Sequence, residues 1–184
     1  MTDPLPPLPN RPGPLRTRWA VWVAAAAVCV VDQITKSLVL ARDPASAYRT
    51  GGGRLSIRLV RNTGASFGVG SGHPMVITLV ASAVVVIVLA LVVAARSRAA
   101  ALCWAVVLGG ALGNLADRLF RSPGPGLGAV VDWIRVDGYP ATFNLADLAI
   151  RAGTVAAVIA MAVSARRVRR RAQAEPSPSQ AGGD

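Results

Sequence analysis

Asp132 sits in an apolar run, VVDWI, and Asp147 opens another, FNLADLAI; the short segment between them contains Gly138 and Pro140. Such a segment can turn back and bring the two carboxylates together. Two carboxylates a few ångströms apart do not both ionise easily, so one pKa rises and the pair holds a shared proton near neutral pH. A pair of that kind can take a proton from water while polarising a carbonyl, as an aspartic protease does. Acids inside a membrane serve proton-coupled transport just as naturally. On these residues alone both readings stay open.

Other acids ask for partners. Asp32 and Lys36 are spaced i,i+4, so they share a helix face and can pair. Asp117 and Arg118 are adjacent and do not face each other on a helix, so Arg118 is expected to pair elsewhere, with a substrate or a lipid phosphate. Arg151 is the remaining cation close in sequence to these acids. Asp137 reads as a solvated turn residue. The single histidine, His73, falls in a turn, GSGHP, and no HExxH or CxxC pattern occurs, so a zinc site is not expected. Gly64 and Gly68 flank Phe67 without a following lysine and make no phosphate loop. Cys29 and Cys103 lie in apolar stretches and read as free thiols rather than a disulfide.

The elements that must carry these residues are membrane spans. The chain has 184 residues, is 53% hydrophobic and only 16% charged. Apolar stretches cover roughly 19–41, 74–95, 99–120 and 143–165, each near the ~20 residues needed to cross ~30 Å of hydrocarbon. The first is no cleaved signal peptide, since it is long and holds Asp32 and Lys36. Four transmembrane helices are therefore expected in an all-α integral membrane protein. The net charge of +11 resides largely in arginines flanking the spans: Arg16 and Arg18 before the first, Arg96 and Arg98 between the second and third, and Arg166 to Arg171 after the fourth. The positive-inside rule then puts both termini in the cytoplasm, although the first outer loop also carries arginines. Basic residues beside anionic headgroups require no nucleic-acid partner.

Three segments follow: a disordered proline- and arginine-rich arm over 1–18, a membrane domain over 19–166, and a basic, then disordered, tail over 167–184. Between the first two spans, RLSIRLV alternates Leu55, Ile57 and Leu59 with polar residues and runs into the turn Asn62-Thr63-Gly64. A small extracytoplasmic β cradle is expected there. The second outer loop, rich in glycine and proline, reads as irregular, with Trp133 anchoring at headgroup depth.

VDQITK, RNTGASFG, GNLADR, VVDW and FNLAD occur in that order between about Trp19 and Arg166. Together they resemble the lipoprotein signal peptidase (signal peptidase II) family of bacterial membrane aspartyl peptidases. The resemblance implies removal of signal peptides from diacylglyceryl-modified prolipoproteins, just before the lipidated cysteine. It implies Asp132 and Asp147 as the catalytic dyad, with Asp117 supporting and held in reserve as a catalytic candidate. It further implies that Asn62, Gly64, Asn114, Arg118 and Asn144 line or support the substrate cleft, that Asp32 and Lys36 are structural, and that no cofactor is needed. The implied protein is a monomer in the bacterial cytoplasmic membrane, in contact with membrane lipids, with its site near the outer face. Three features depart from the family pattern: the link RSPGPGLGA is long, VVDW has tryptophan where phenylalanine is common, and IRVDGYPAT is short. The competing expectation is a small proton- or ion-coupled transporter, which predicts acids at mid-membrane on broken or repeated helices.

Overall fold

The computed structural model describes residues 19–42, 48–50, 54–65 and 68–174. The arm over 1–18 and the end of the tail, 175–184, lie outside the described residues. Helix α1 spans Trp19–Leu40, α2 Pro74–Ala94, α3 Arg98–Phe120 and α4 Leu145–Ala174. All four are long and apolar enough to cross a membrane, as the hydropathy predicts. Their outward faces keep large apolar side chains exposed, among them Val30, Ile34, Leu79, Ile87, Val155 and Ile159. That is the pattern of helices solvated by lipid rather than water.

Helix α3 is the axis against which α1, α2 and α4 pack. Its sequence LGGALGN explains the close approach, since a side chain at these glycines would strike the neighbours. A Cβ at Gly110 would meet the Ala146 carbonyl of α4 at 2.6 Å, and one at Gly113 would meet Asp32 Oδ2 of α1 at 2.5 Å. Small residues that let helices approach are the usual means of association where lipid removes the hydrophobic driving force. Toward the α2–α3 link, Trp104, Val107 and Leu108 fill the interior with Val21, Val88 and Ala157. The link is short, and Ser97 caps α3 by accepting the Ala100 N–H at 3.2 Å.

A four-stranded antiparallel sheet stands at the other end of the bundle, ordered β1 (Tyr48–Thr50), β2 (Leu55–Asn62), β3 (Val130–Val136) and β4 (Thr142–Phe143). The cradle therefore draws on both loops at that end of the bundle, not only the one between the first two helices. The run VVDWI, expected to be irregular, is its strand β3. Trp133 is half-buried there, and its indole N–H is buried with no acceptor among the described residues.

The pairing of β2 with β3 shifts by one residue between Ile57 and Val60. Ile57 lies opposite Ile134, whereas Val60 lies opposite Asp132 and Asn62 opposite Val130. Side chains alternate faces along a strand, so this bulge decides which β2 residues share the face of Asp132. Continued in its first register, β2 would place Leu59 opposite Asp132 and turn Asn62 away. With the bulge, Asn62 comes onto the Asp132 face. The strict alternation expected for RLSIRLV is broken at the same point: Leu55 is exposed, while Leu59 and Val60 are both partly buried.

Helix α4 has 30 residues, about 45 Å at 1.5 Å per residue, against ~30 Å of hydrocarbon. The excess carries the helix through the arginine run as far as Ala174, so the basic part of the tail begins as helix rather than as unstructured chain.

Candidate active site

Helix α4 begins with a reciprocal cap. Asn144 Oδ1 accepts the Asp147 N–H at 2.9 Å, and Asp147 Oδ2 accepts the Asn144 N–H at 3.2 Å. This is a capping box with aspartate in the place usual for glutamate. It explains why a membrane-length helix starts with Asn-x-x-Asp: two orphan N–H groups are satisfied and the carboxylate sits at the positive end of the helix dipole. The next N–H, of Ala146, donates to Asp32 Oδ1 at 3.0 Å, so α1 supplies a further cap.

Asn144 is fully buried and stands between the two acids. Its Nδ2 donates to Asp132 Oδ1 at 2.7 Å and to Asn114 Oδ1 at 3.2 Å. Asp132, 3% exposed on β3, receives its second donor from Asn62 Nδ2, 3.1 Å from Oδ2. Asp147 receives Asn114 Nδ2 on Oδ1 at 3.0 Å. Burial, and then the charge of Asp147, push the Asp132 carboxyl up to about 6, against the pull of its two asparagine donors. The segment between the acids does turn back, through β3, a turn containing Gly138 at φ +77° and β4, and the two carboxyls share one asparagine.

Beneath this pair lies a second group of charges. Lys36 Nζ, fully buried, contacts Asp32 Oδ2 at 2.7 Å, Asp117 Oδ2 at 2.8 Å and Asn114 Oδ1 at 2.8 Å. The i,i+4 pair of Asp32 and Lys36 is thus present, with Asp117 as the cation's further partner. Because an ammonium only donates, it fixes Asn114 with its oxygen inward, so the amide Nδ2 faces the acceptor-only Asp147 carboxylate. Asp117 also accepts from Arg121 Nε at 2.5 Å, Gln33 Nε2 at 3.0 Å and the Val131 N–H at 3.1 Å. The last of these holds β3 by the residue next to Asp132. Gln33 and Arg121 are additions to the residues picked from sequence. The Asp117–Arg121 spacing is the same i,i+4 that marked Asp32 and Lys36, whereas nothing local marks Gln33.

Arg118 finds backbone acceptors rather than an outside partner. Its Nη2 donates to the Gly64 carbonyl at 2.5 Å and its Nη1 reaches the Thr63 carbonyl at 3.4 Å. It thereby fastens the turn after β2, in which Gly64 has no space for a side chain: a Cβ there would lie 2.6 Å from the Gly68 carbonyl. Arg151 makes no ion pair with an acid among the described residues and instead donates to Tyr139 Oη at 3.0 Å.

Asn62, Asn114, Arg118, Asp132 and Asp147 line the polar end of a cleft of about 230 Å³. Its opposite end is apolar, walled by Ile77, Val80, Ala81 and Val84 of α2 and by Ile150 of α4. Asp117, Asp32 and Lys36 are not among its lining residues; they sit behind it.

Fold and site together define a class: a four-span membrane protein that presents two coupled carboxyls in a cleft between helices, under a small sheet. The family model described as signal peptidase (SPase) II matches residues 24–163. The lipoprotein signal peptidase of Rhodococcus jostii (strain RHA1) is 40% identical over 158 residues, covering 85% of this chain and 79% of that protein. That of Leifsonia xyli subsp. xyli is 40% identical over 144 residues, 74% of this chain and 67% of its own length. That of Mycobacterium tuberculosis (strain H37Rv) is 38% identical over 152 residues, covering 82% and 75%. Among solved structures, a bacterial membrane enzyme determined in meso at 2.3 Å superposes with a TM-score of 0.68 at 22% identity, over 86% of this chain and 93% of that one, a likeness of fold. The chain belongs to the signal peptidase II family, and is a multi-pass bacterial membrane protein. Nothing in these comparisons supports a transporter.

Proposed function

We propose that this chain is an aspartyl endopeptidase that cuts diacylglyceryl-modified prolipoproteins immediately before the lipidated cysteine, with Asp132 and Asp147 as its catalytic pair. The observation that carries this reading is the shared asparagine: Asn144 donates to both carboxyls, and Asp132 is held up to about 6 beside its charged neighbour. Substrate filling the cleft removes more water and favours the singly protonated pair further. Asp132, the more buried, carries the proton; Asp147, the more exposed, is the base.

In the forward step, Asp147 takes a proton from a water whose oxygen attacks the scissile carbonyl carbon, while Asp132 gives its proton to the carbonyl oxygen. The resulting gem-diol collapses as Asp132 recovers a proton from one hydroxyl and Asp147 passes its own to the departing cysteine nitrogen. The products are the signal peptide with a new carboxyl end and a lipoprotein starting at cysteine. Asp117, Asp32 and Lys36 position the machinery, and Arg118 with Gly64 holds the turn that brings Asn62 to Asp132.

Cytoplasmic termini and a site near the outer face follow from the flanking arginines. The apolar end of the cleft suits acyl chains that stay at bilayer depth. A single chain contains the whole site, which is consistent with a monomer. The test is incubation of purified protein in lipid with a diacylglyceryl-modified prolipoprotein. A product whose mass begins at the lipidated cysteine is expected, and an intact substrate with folded protein would overturn the reading.

A further inference from the structure

Arg151 is a charged residue inside a spanning helix, a costly placement that usually marks function. It lies one turn below Asp147 on α4, about 6 Å deeper along the axis. It lines the same cleft, next to the apolar Ile150 and across from the α2 wall. Its side chain is exposed and its guanidinium is pinned at one edge. Nη1 donates to Tyr139 Oη at 3.0 Å, and Cζ stands 6.0 Å from the centroid of the Tyr139 ring, which meets Phe143 edge-on at 5.8 Å. Among the described residues it makes no other hydrogen bond and no ion pair, so its remaining N–H donors have no acceptor among them, on a side chain that lines the cleft.

The cleft thus has a polar end with the carboxyls, an apolar end suited to hydrocarbon, and a planar, pre-oriented fork of donors at the boundary. A ligand that fits is one whose acyl chains occupy the apolar end and whose ester oxygens fall at the boundary. On the peptidase reading, on which this inference rests, the cysteine thioether and its glycerol bridge the short distance from the scissile bond to those esters. We propose that Arg151 is a specificity-determining residue that recognises the ester carbonyl oxygens of the substrate's diacylglyceryl group, with Tyr139 holding the guanidinium in place. Arginine suits the task because its planar fork remains charged and loses little freedom on binding.

The test pairs a change in the enzyme with a change in the substrate. Wild type, Arg151→Gln, Arg151→Lys and Tyr139→Phe, each checked for a cooperative melt in detergent, are assayed on a diester-lipidated prolipoprotein and on its diether analogue, which keeps the chains but lacks the carbonyls. For wild type, the diether raises KM about tenfold, the worth of one charge-assisted hydrogen bond, at unchanged kcat. Arg151→Gln raises KM for the diester by a similar factor, erases the difference between the substrates and leaves the pH profile in place. Arg151→Lys and Tyr139→Phe retain part of the preference.

A diester preference that persists in Arg151→Gln overturns the proposal. So does a shifted pH profile at unchanged KM, which would mean that Arg151 acts on the aspartates. A KM effect equal for both substrates and dependent on anionic phospholipid in the vesicle assigns the arginine to a headgroup phosphate, and also overturns it. Cleavage of both substrates with equal wild-type KM removes this inference alone, while cleavage of neither removes the peptidase reading as well.

Discussion

Two pairs of aspartates lie toward the same end of this bundle, and they meet different donors. Asp32 and Asp117 are fully buried, and Lys36 and Arg121 match their two charges with two. Among the described residues Asp132 and Asp147 receive only neutral donors, the amides of Asn62, Asn114 and Asn144 and one backbone N–H. Neutral donors orient a carboxylate without cancelling its charge, so the repulsion within the second pair is not offset by a directly bonded cation, whereas that within the first pair is. Burial and hydrogen-bond count alone would not separate them; the charge on the donors does. A compensated acid serves as scaffold, and an acid held by amides remains free to exchange a proton.

The comparison can be broken at several points. Replacing Asp132 or Asp147 by Asn should lower the cleavage rate by about 10³-fold, the scale of general acid–base catalysis. Each new amide also sets an NH₂ against one of the existing donors, at a stability cost near 1 kcal/mol, so melting curves should move little while turnover is lost.

Lys36→Met should act in the opposite sense. It leaves Asp32 and Asp117 without their shared cation and should destabilise the fold by about 3–5 kcal/mol, read as a lower thermal midpoint or failure to purify folded protein. An unaltered melt would dissolve the distinction between the pairs.

Asp132 gives a pH signature. Its carboxyl rises from 3.8 to about 6, so between those values the folded protein holds a proton that the unfolded chain has released. Folded stability is then highest below about pH 4 and falls as pH rises toward about 6, by at most ~3 kcal/mol (about two pKa units at ~1.4 kcal/mol each). The thermal midpoint in detergent should decline across that window from this group. In Asp147→Asn the decline should shrink but persist, because burial is the larger cause. A decline that vanishes entirely would make repulsion the main cause instead.

The smallest effect is expected at Trp133. Its indole N–H is buried with no acceptor among the described residues, so Trp133→Phe forfeits no hydrogen bond. Activity within about twofold of wild type and an equal or higher melting point are expected, since an unmet buried donor costs about 1–3 kcal/mol.

Much of this could be read from the residues. Hydropathy located the spans within a residue or two, except that α4 runs on as helix through the arginines to Ala174. Spacing paired Asp32 with Lys36, and the same rule applied to Asp117 would have found Arg121. The Asn-x-x-Asp of residues 144–147 is likewise a legible helix start, since its two side chains cap each other's backbone N–H groups. Strand β3 is not legible locally because VVDWI has no alternation: its partners on either side are remote in sequence or short, and Pro and Gly surround it. The bulge that turns Asn62 toward Asp132 has no local signature at all, since register belongs to the pair of strands and not to either one. Lys36 reaching Asp117, and Asp32 capping α4, are likewise consequences of three helices meeting.

The most direct test of the central claim measures cleavage per folded molecule for Asp132→Asn, Asp147→Asn and Asp117→Asn on one diacylglyceryl-modified prolipoprotein. The charge distinction predicts folded, inactive protein for the first two, and for Asp117→Asn a lower melting point with turnover retained in the folded fraction. A folded, inactive Asp117→Asn beside an active Asp132→Asn would contradict it and move the catalytic role to Asp117.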